Sequence, residues 1–188
     1  MNQRGQSLVE FALALPVLLL VILGIAELGL FFNAYIDMID ATREGARFGT
    51  DLDPEHQDTI MDCASTTDFG RAISCLTQGD FHRTLNKDNG YDDIVVTAYS
   101  LYSGQVSITF PSFSLYGNQV SRFTPASIRD MVQKGPCAQG IVIIELFYAH
   151  KQLLGLPFFT VFVPDPIQLY AYSIFPNGTA LSMVHGCP

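Results

Sequence analysis

The feature that most constrains this chain is an apolar run from Leu8 to Phe32, in which Glu10 and Glu27 are the only charged residues. Because a helix rises about 1.5 Å per residue, this run extends about 38 Å and can cross a hydrocarbon core of about 30 Å. No other run is long enough to span a bilayer, which excludes a polytopic transporter. A cleavable signal peptide has a shorter apolar core followed by small residues, whereas this run continues into Phe31. We therefore expect one membrane span over about residues 8–32.

Charge and composition place the rest of the chain outside the cell. The net charge is −8, and residues 51–188 contribute −6 of it. This acidic balance argues against a nucleic-acid partner. The short flank before the span carries Arg4, so the positive-inside tendency puts residues 1–5 in the cytoplasm and residues 33–188 outside the cytoplasmic membrane. The 14 Phe and 8 Tyr residues supply a core for a folded exported domain.

The four cysteines all lie in the exported part: Cys63, Cys75, Cys137 and Cys187. An even number there indicates two disulfides, with three possible pairings. Proximity in sequence favours Cys63–Cys75, which leaves Cys137–Cys187. The chain has no C-x-x-C pair and its histidines are scattered, so we predict neither a metal site nor a cofactor. Asn177 begins an N-x-[ST] sequon and is a candidate glycosylation site.

Two carboxylates interrupt the apolar run and call for partners. A charge at the bilayer centre costs about 2.5–3.5 kcal/mol on insertion scales. Glu10 either stays hydrated at the cytoplasmic interface or, after cleavage between Gly5 and Gln6, pairs with the new α-ammonium group of Gln6 from its own or a neighbouring subunit. Glu27, near the outer membrane face, is either interfacial or involved in subunit pairing.

The residues around these acids carry a family resemblance. The start RGQSLVEFALALP resembles a type IV prepilin N-terminus, with a basic leader ending in Gly and Glu as the fifth residue of the apolar helix. The continuation is similar to the TadE-like family of pseudopilins of tight-adherence (Tad/Flp) pilus systems. Its marks are the L-V-E-F-A-L-x-L-P start, the G-I-x-E-x-G step at Gly24–Gly29 and the A-x-R-E-G-A-R segment at Ala41–Arg47.

The resemblance implies a function in which residues 1–5 are a leader. Prepilin peptidase would cleave after Gly5, Gln6 would be methylated, and Glu10 would pair with a Gln6 ammonium to set subunit register. The inner-membrane pilus assembly machinery would then build the chain, with other pilin or pseudopilin subunits, into an extracellular pilus for cell adhesion. The alternative is a single-pass membrane-anchored binding module that never polymerises. An enzyme is not expected, because the sequence has no G-x-S-x-G, H-E-x-x-H or P-loop motif.

The fold predicted from pattern is α+β and pilin-like. One helix covers residues 6–50, spanning the membrane and then becoming amphipathic. Its exported part would carry an apolar stripe at Leu28, Phe32, Tyr35, Ile39 and Ala46. A second strip of small residues, Ala41, Gly45 and Gly49, lets another backbone approach closely, either the domain's own sheet or a second subunit.

The exported domain, residues 51–188, should place helices on a mostly antiparallel sheet. Helices are predicted at Asp68–Leu76 and, capped by Thr124, at Pro125–Lys134. Strands are predicted at Ile94–Leu101, Gln105–Phe110, Ile141–Ala149, Phe158–Val163 and Gln168–Phe175. The acidic segment Asp88–Asp93 resembles part of a calcium loop but lacks its spacing, so we interpret it as a solvated turn.

Overall fold

The computed structural model describes residues 3–50, 68–102, 105–131, 139–153 and 163–177, with side chains in the first helix from Leu8 onward. The chain divides into two compact units. The first contains Met1–Tyr35 and His150–Ile167, and the second contains Ile36–Ala149 and Gln168–Pro188.

The N-terminal helix, α1, runs from Gln3 to Thr50 and includes Pro16. The predicted helix is confirmed, and it starts three residues earlier than expected. It is long and apolar enough to cross a membrane, with a mean hydropathy of 2.7 in its most apolar window. Nearly all of the large apolar side chains between Leu8 and Ile36 are exposed. Such a surface is unfavourable in water and suits a hydrocarbon or helical environment.

The sheet has four antiparallel strands in the order β2-β1-β3-β4. They are β1 (Asp93–Tyr102), β2 (Gln105–Ser114), β3 (Gln139–His150) and β4 (Ile167–Asn177). The predicted hairpin is confirmed by the register, which pairs Tyr102 with Gln105. Together with α1 this confirms the α+β class. The fifth predicted strand, at 158–163, lies almost entirely outside the described residues.

Two further helices follow their sequence signals. Helix α2 runs from Phe69 to Asp80, and the Asp68 side chain accepts a hydrogen bond from the Arg71 N–H at its start. Helix α3 begins at Pro125 and is described to Met131. At its start the Ser127 N–H donates to Thr124 Oγ1 (3.3 Å) and the Thr124 N–H donates to Ser127 Oγ (2.9 Å), which confirms the predicted cap.

Within the second unit, the last part of α1 packs on the sheet through small residues. A methyl group added at Gly45 would overlap Thr77 Oγ1 of α2 and lie 3.1 Å from Ile144 Cδ1 of β3. One added at Gly49 would lie 2.9 Å from Ile73 Cδ1 of α2 and 3.1 Å from Val142 Cγ1 of β3. Thr42 Oγ1 lies 3.0 Å from Ser173 Oγ on β4. Of the two alternatives for the small-residue strip, the domain's own sheet is therefore the observed neighbour.

The predicted apolar stripe on this helix is buried only in part, at Ala46. Leu28, Phe32 and Tyr35 are exposed, Phe32 by 56% of its surface. The buried positions carry mostly small side chains: Ala34, Met38, Ala41, Thr42, Gly45, Ala46 and Gly49. Small residues let the helix axis approach its neighbour, while the large residues point away from the protein interior.

The opposite face of the sheet carries its own core. Tyr99, Ile141 and Ile143 pack there against Phe123 and Ile128, and the Tyr99 hydroxyl donates to the Phe123 carbonyl at 2.9 Å. This cluster holds the segment before α3 against the sheet and so fixes the position of the residues at 121–123.

Candidate functional site

The candidate assembly site is the first part of α1, where the predicted cleavage position and Glu10 lie on one helix. Gly5 and Gln6 are both helical, and Glu10 follows Gln6 by four residues. Residues i and i+4 share a helix face about 6 Å apart, so a new α-ammonium at Gln6 would be within reach of this carboxylate. The Glu10 side chain is exposed. This geometry permits the ion pair, while cleavage, methylation and pairing stay predictions.

Glu27, the second acid of the span, is buried in the first unit with only 7% of its surface exposed. Its Oε1 accepts a hydrogen bond from the Leu153 N–H at 2.7 Å. Its Oε2 is buried without a hydrogen-bond partner among the described residues. The carboxylate therefore fixes residues near 153 on the helix, and a role in subunit pairing stays a prediction.

An apolar cavity of about 180 Å³ lies beside Glu27 in the same unit. Its walls come from α1 and from residues 150–167: Glu27, Leu28, Phe31, His150, Gln152, Val163 and Ile167. Gln152 fixes the second wall, because its N–H donates to Asp165 Oδ1 at 3.1 Å and its Nε2 donates to the Val163 carbonyl at 3.3 Å. The cavity thus lies within the unit that contains the first part of α1.

The acidic segment before β1 is a solvated turn only in its first half, where Asp88, Asn89 and Gly90 are exposed. Asp92 and Asp93 are buried, and their oxygens accept hydrogen bonds from the protein itself. Asp92 Oδ1 accepts from the Ala149 N–H at 2.7 Å, and its Oδ2 accepts from the Asn86 N–H at 2.9 Å. Both oxygens are thus satisfied by backbone N–H groups of the protein, which gives the carboxylate a structural role.

Asp93 organises the loop that follows β2. Its two oxygens accept five hydrogen bonds, four of them from backbone N–H groups. The donors are the N–H groups of Ile94, Tyr116, Asn118 and Gln119 and the hydroxyl of Ser114. One side chain thus satisfies polar groups that would otherwise be buried without partners, which the prediction of a hydrated turn did not anticipate.

A second buried acid, Glu145 on β3, supports a cluster that the sequence analysis missed. Its Oε1 accepts hydrogen bonds from the Tyr170 hydroxyl (2.8 Å) and from the Arg122 N–H (3.0 Å). Burial first, and then the Glu145 carboxylate, raise the pKa of Tyr170 above that of a free tyrosine. The available signal was a glutamate inside the apolar run of β3, which a buried strand tolerates only when the carboxylate has partners.

The predicted disulfide and glycosylation residues are only partly described. Cys75 lies on α2 and is disulfide-bonded. Cys63, Cys137 and Cys187 lie outside the described residues, so the two favoured pairings stay predictions. Asn177 is the last residue of β4, and its glycosylation is likewise untested.

A comparison with known protein families gives a match that lies within the N-terminal helix. The family model for TadE-like protein matches residues 5–47, about a quarter of the chain. No curated protein matches the chain, and no solved structure matches it. The matched segment begins at the predicted cleavage position, includes Glu10 and Glu27, and ends three residues before α1 does. This chain therefore carries a TadE-like segment that forms nearly the whole of its N-terminal helix.

Proposed function

We propose that this chain is a pseudopilin of a tight-adherence pilus. It is made as a single-pass precursor with its N-terminus in the cytoplasm and becomes part of, or assists assembly of, an extracellular filament. The observation that carries this proposal is the coincidence of the TadE-like match with a helix whose large apolar side chains are exposed. In a precursor this surface faces lipid, and in a filament it faces the same helix of neighbouring subunits.

The first step of the proposal is cleavage by a prepilin peptidase between Gly5 and Gln6, followed by methylation of the Gln6 amino group. Mass spectrometry of the mature N-terminal peptide tests it. The expected peptide begins at Gln6 and carries one methyl group. A Gly5→Leu variant should keep its leader, whereas the control variant Gln3→Ala should be processed normally. A mature protein that begins at Met1 would contradict the proposal.

The second step is formation of an ion pair between the Gln6 ammonium and Glu10 as the helix leaves the lipid. Breaking a desolvated ion pair by removing one partner costs about 3–5 kcal/mol, because the other charge stays buried. We therefore expect Glu10→Ala to abolish or strongly reduce filaments in the sheared surface fraction. Glu44→Ala is the matched control, since Glu44 pairs with Arg47 on the exposed face of the same helix and such pairs contribute little.

The partners in this proposal are the prepilin peptidase, the inner-membrane assembly machinery and other pilin or pseudopilin subunits. The role is structural and not enzymatic. Normal filaments from Glu10→Ala, with cleavage intact, would remove the ion-pair step and leave the pseudopilin assignment standing. A full-length precursor that is found only as a single membrane-anchored chain would instead support the alternative of a tethered binding module.

A further inference from the structure

An arginine is fixed on an aromatic surface at the outer face of the sheet, opposite the face that packs on α1. The Arg122 side chain is exposed, and its Cζ lies 4.0 Å from the ring centroid of Tyr170 and 5.1 Å from that of Phe147. At these distances the guanidinium is attracted to the ring faces. Tyr91 lies near the same guanidinium, whose charge opposes the rise that burial causes in the pKa of Tyr91. The cation is therefore held in place while it remains open to solvent.

A second exposed ring continues this surface along β4, which is an edge strand of the described sheet. Tyr172 stacks on Tyr170 with 5.8 Å between centroids and 30° between planes, and 48% of its surface is exposed. Phe123 packs edge-on against Tyr172 at 5.0 Å. The result is a pair of stacked tyrosine rings beside a positive charge, which we call the Arg122 platform (Arg122, Tyr170 and Tyr172).

The buried acid next to Tyr170 is Glu145, and it forms no ion pair with the Arg122 guanidinium. Glu145 is fully buried, and it is satisfied by the Tyr170 hydroxyl, the Arg122 backbone N–H and the Ser121 hydroxyl. Within the described part of the chain the Arg122 guanidinium forms no ion pair. Glu145 thus orients Tyr170, while the Arg122 side chain stays exposed to solvent.

We propose that the Arg122 platform binds a polysaccharide that contains uronic acids. A guanidinium holds a carboxylate through two parallel hydrogen bonds, and an exposed tyrosine ring offers an apolar face with a polar tip on which a sugar ring can lie. Residues 51–188 carry a net charge of −6, so the domain repels anions that make no second, apolar contact with it. A sugar ring bearing a carboxylate uses both halves of the platform. This inference does not depend on cleavage or filament formation.

Binding is tested with the full chain in detergent micelles, titrated calorimetrically with polygalacturonate oligomers and, in parallel, with dextran oligomers. We expect the uronate to bind, the neutral sugar not to bind, and the uronate affinity to fall as salt rises. Arg122→Ala should weaken binding about tenfold, and Arg122→Lys should lie between it and the wild type. Tyr172→Ala should weaken binding about threefold.

The matched control is Tyr102→Ala, because Tyr102 is equally exposed at 52% but lies at the other end of β1 from the platform. This variant should bind as the wild type does. Circular dichroism melts identify variants that fail to fold, and Arg122→Lys keeps the test informative if Arg122→Ala is one of them. The proposal is overturned by absence of uronate binding, by equal binding of dextran, or by equal loss in Tyr102→Ala. Equal binding of polyglutamate would overturn the sugar assignment.

Discussion

The two parts of α1 use their side chains in opposite ways. Between Leu8 and Tyr35 the large apolar side chains are exposed, whereas from Ile36 to Thr50 the buried face consists mostly of small residues that contact the sheet. The acids follow this contrast only in part, because Glu27 on the first part is buried and accepts a hydrogen bond from the Leu153 N–H. Glu10 is exposed on the first part, while Asp92, Asp93 and Glu145 in the second unit are buried with protein donors around them.

The difference shows which groups the chain satisfies by itself. In the second unit both apolar area and carboxylate oxygens find their partners within the fold, so substitutions there should change stability. In the first part of α1 the apolar area must be covered by something else, either lipid or other helices. Substitutions there should change insertion and assembly and leave the stability of the second unit nearly unchanged.

The largest stability effect is expected at Asp93. Replacing it by Ala removes the acceptor of five hydrogen bonds and leaves partly buried N–H groups of the loop at 116–119 without this acceptor. We expect Asp93→Ala to lower the free energy of unfolding by about 3–5 kcal/mol, measured by thermal or urea unfolding in detergent. Asp88→Ala, at an exposed position in the same acidic segment, should change it by less than about 0.5 kcal/mol. Equal losses of stability in Asp93→Ala and Asp88→Ala would contradict the distinction between buried, hydrogen-bonded acids and exposed ones.

Three glycines of α1 should give a graded series. Gly45→Ala forces a methyl group onto Thr77 Oγ1, which is held by a 2.8 Å hydrogen bond to the Ile73 carbonyl, and should cost about 2 kcal/mol. Gly49→Ala meets the movable tip of Ile73 and should cost less. Gly29→Ala meets open space in the first part of the helix and should cause no loss. Thermal unfolding of the three variants checks the order, and a Gly29 effect as large as that of Gly45 would contradict it.

A smaller effect is expected from the Tyr170 hydroxyl, and it depends on pH. Because burial and Glu145 raise its pKa in the folded state, its contribution is fully present below the unfolded pKa of about 10 and is lost as pH rises further. We expect the melting temperature of the wild type to fall between about pH 9 and pH 11, and to fall less in Tyr170→Phe. At pH 8 this variant should be less stable by about 1 kcal/mol, having lost one hydrogen bond. Tyr102→Phe should follow the wild type at every pH.

Local signals in the sequence predicted most of the elements. The apolar run gave α1, the alternation of β-branched and aromatic residues gave the four described strands, and Thr124 with Pro125 gave the start of α3. The strip at Ala41, Gly45 and Gly49 correctly indicated a close approach, because small side chains at helical spacing have a direct geometric consequence.

The errors come from contacts between residues far apart in sequence. The stripe of Leu28, Phe32 and Tyr35 follows helical spacing, but spacing alone does not show whether a stripe faces the protein interior, and these three side chains are exposed. Asp93 was assigned to a turn because most of the groups that donate hydrogen bonds to its carboxylate lie at 114–119, more than twenty residues later in the chain. The Arg122 platform brings Arg122 next to Tyr170 and Tyr172 of β4, and no sequence pattern predicts that these residues meet.

The central claim is that the first part of α1 exposes its surface for packing against other helices. Single cysteines placed at successive positions from Leu18 to Ile25, treated with a bifunctional maleimide in cells that make the pilus, test it most directly. We expect covalent dimers at positions that recur every three to four residues, since only one helix face meets a neighbour. Ala46→Cys, at a fully buried position, and the unsubstituted chain should give background only. Background at every position from 18 to 25, or dimers from Ala46→Cys as readily as from these positions, would contradict the account.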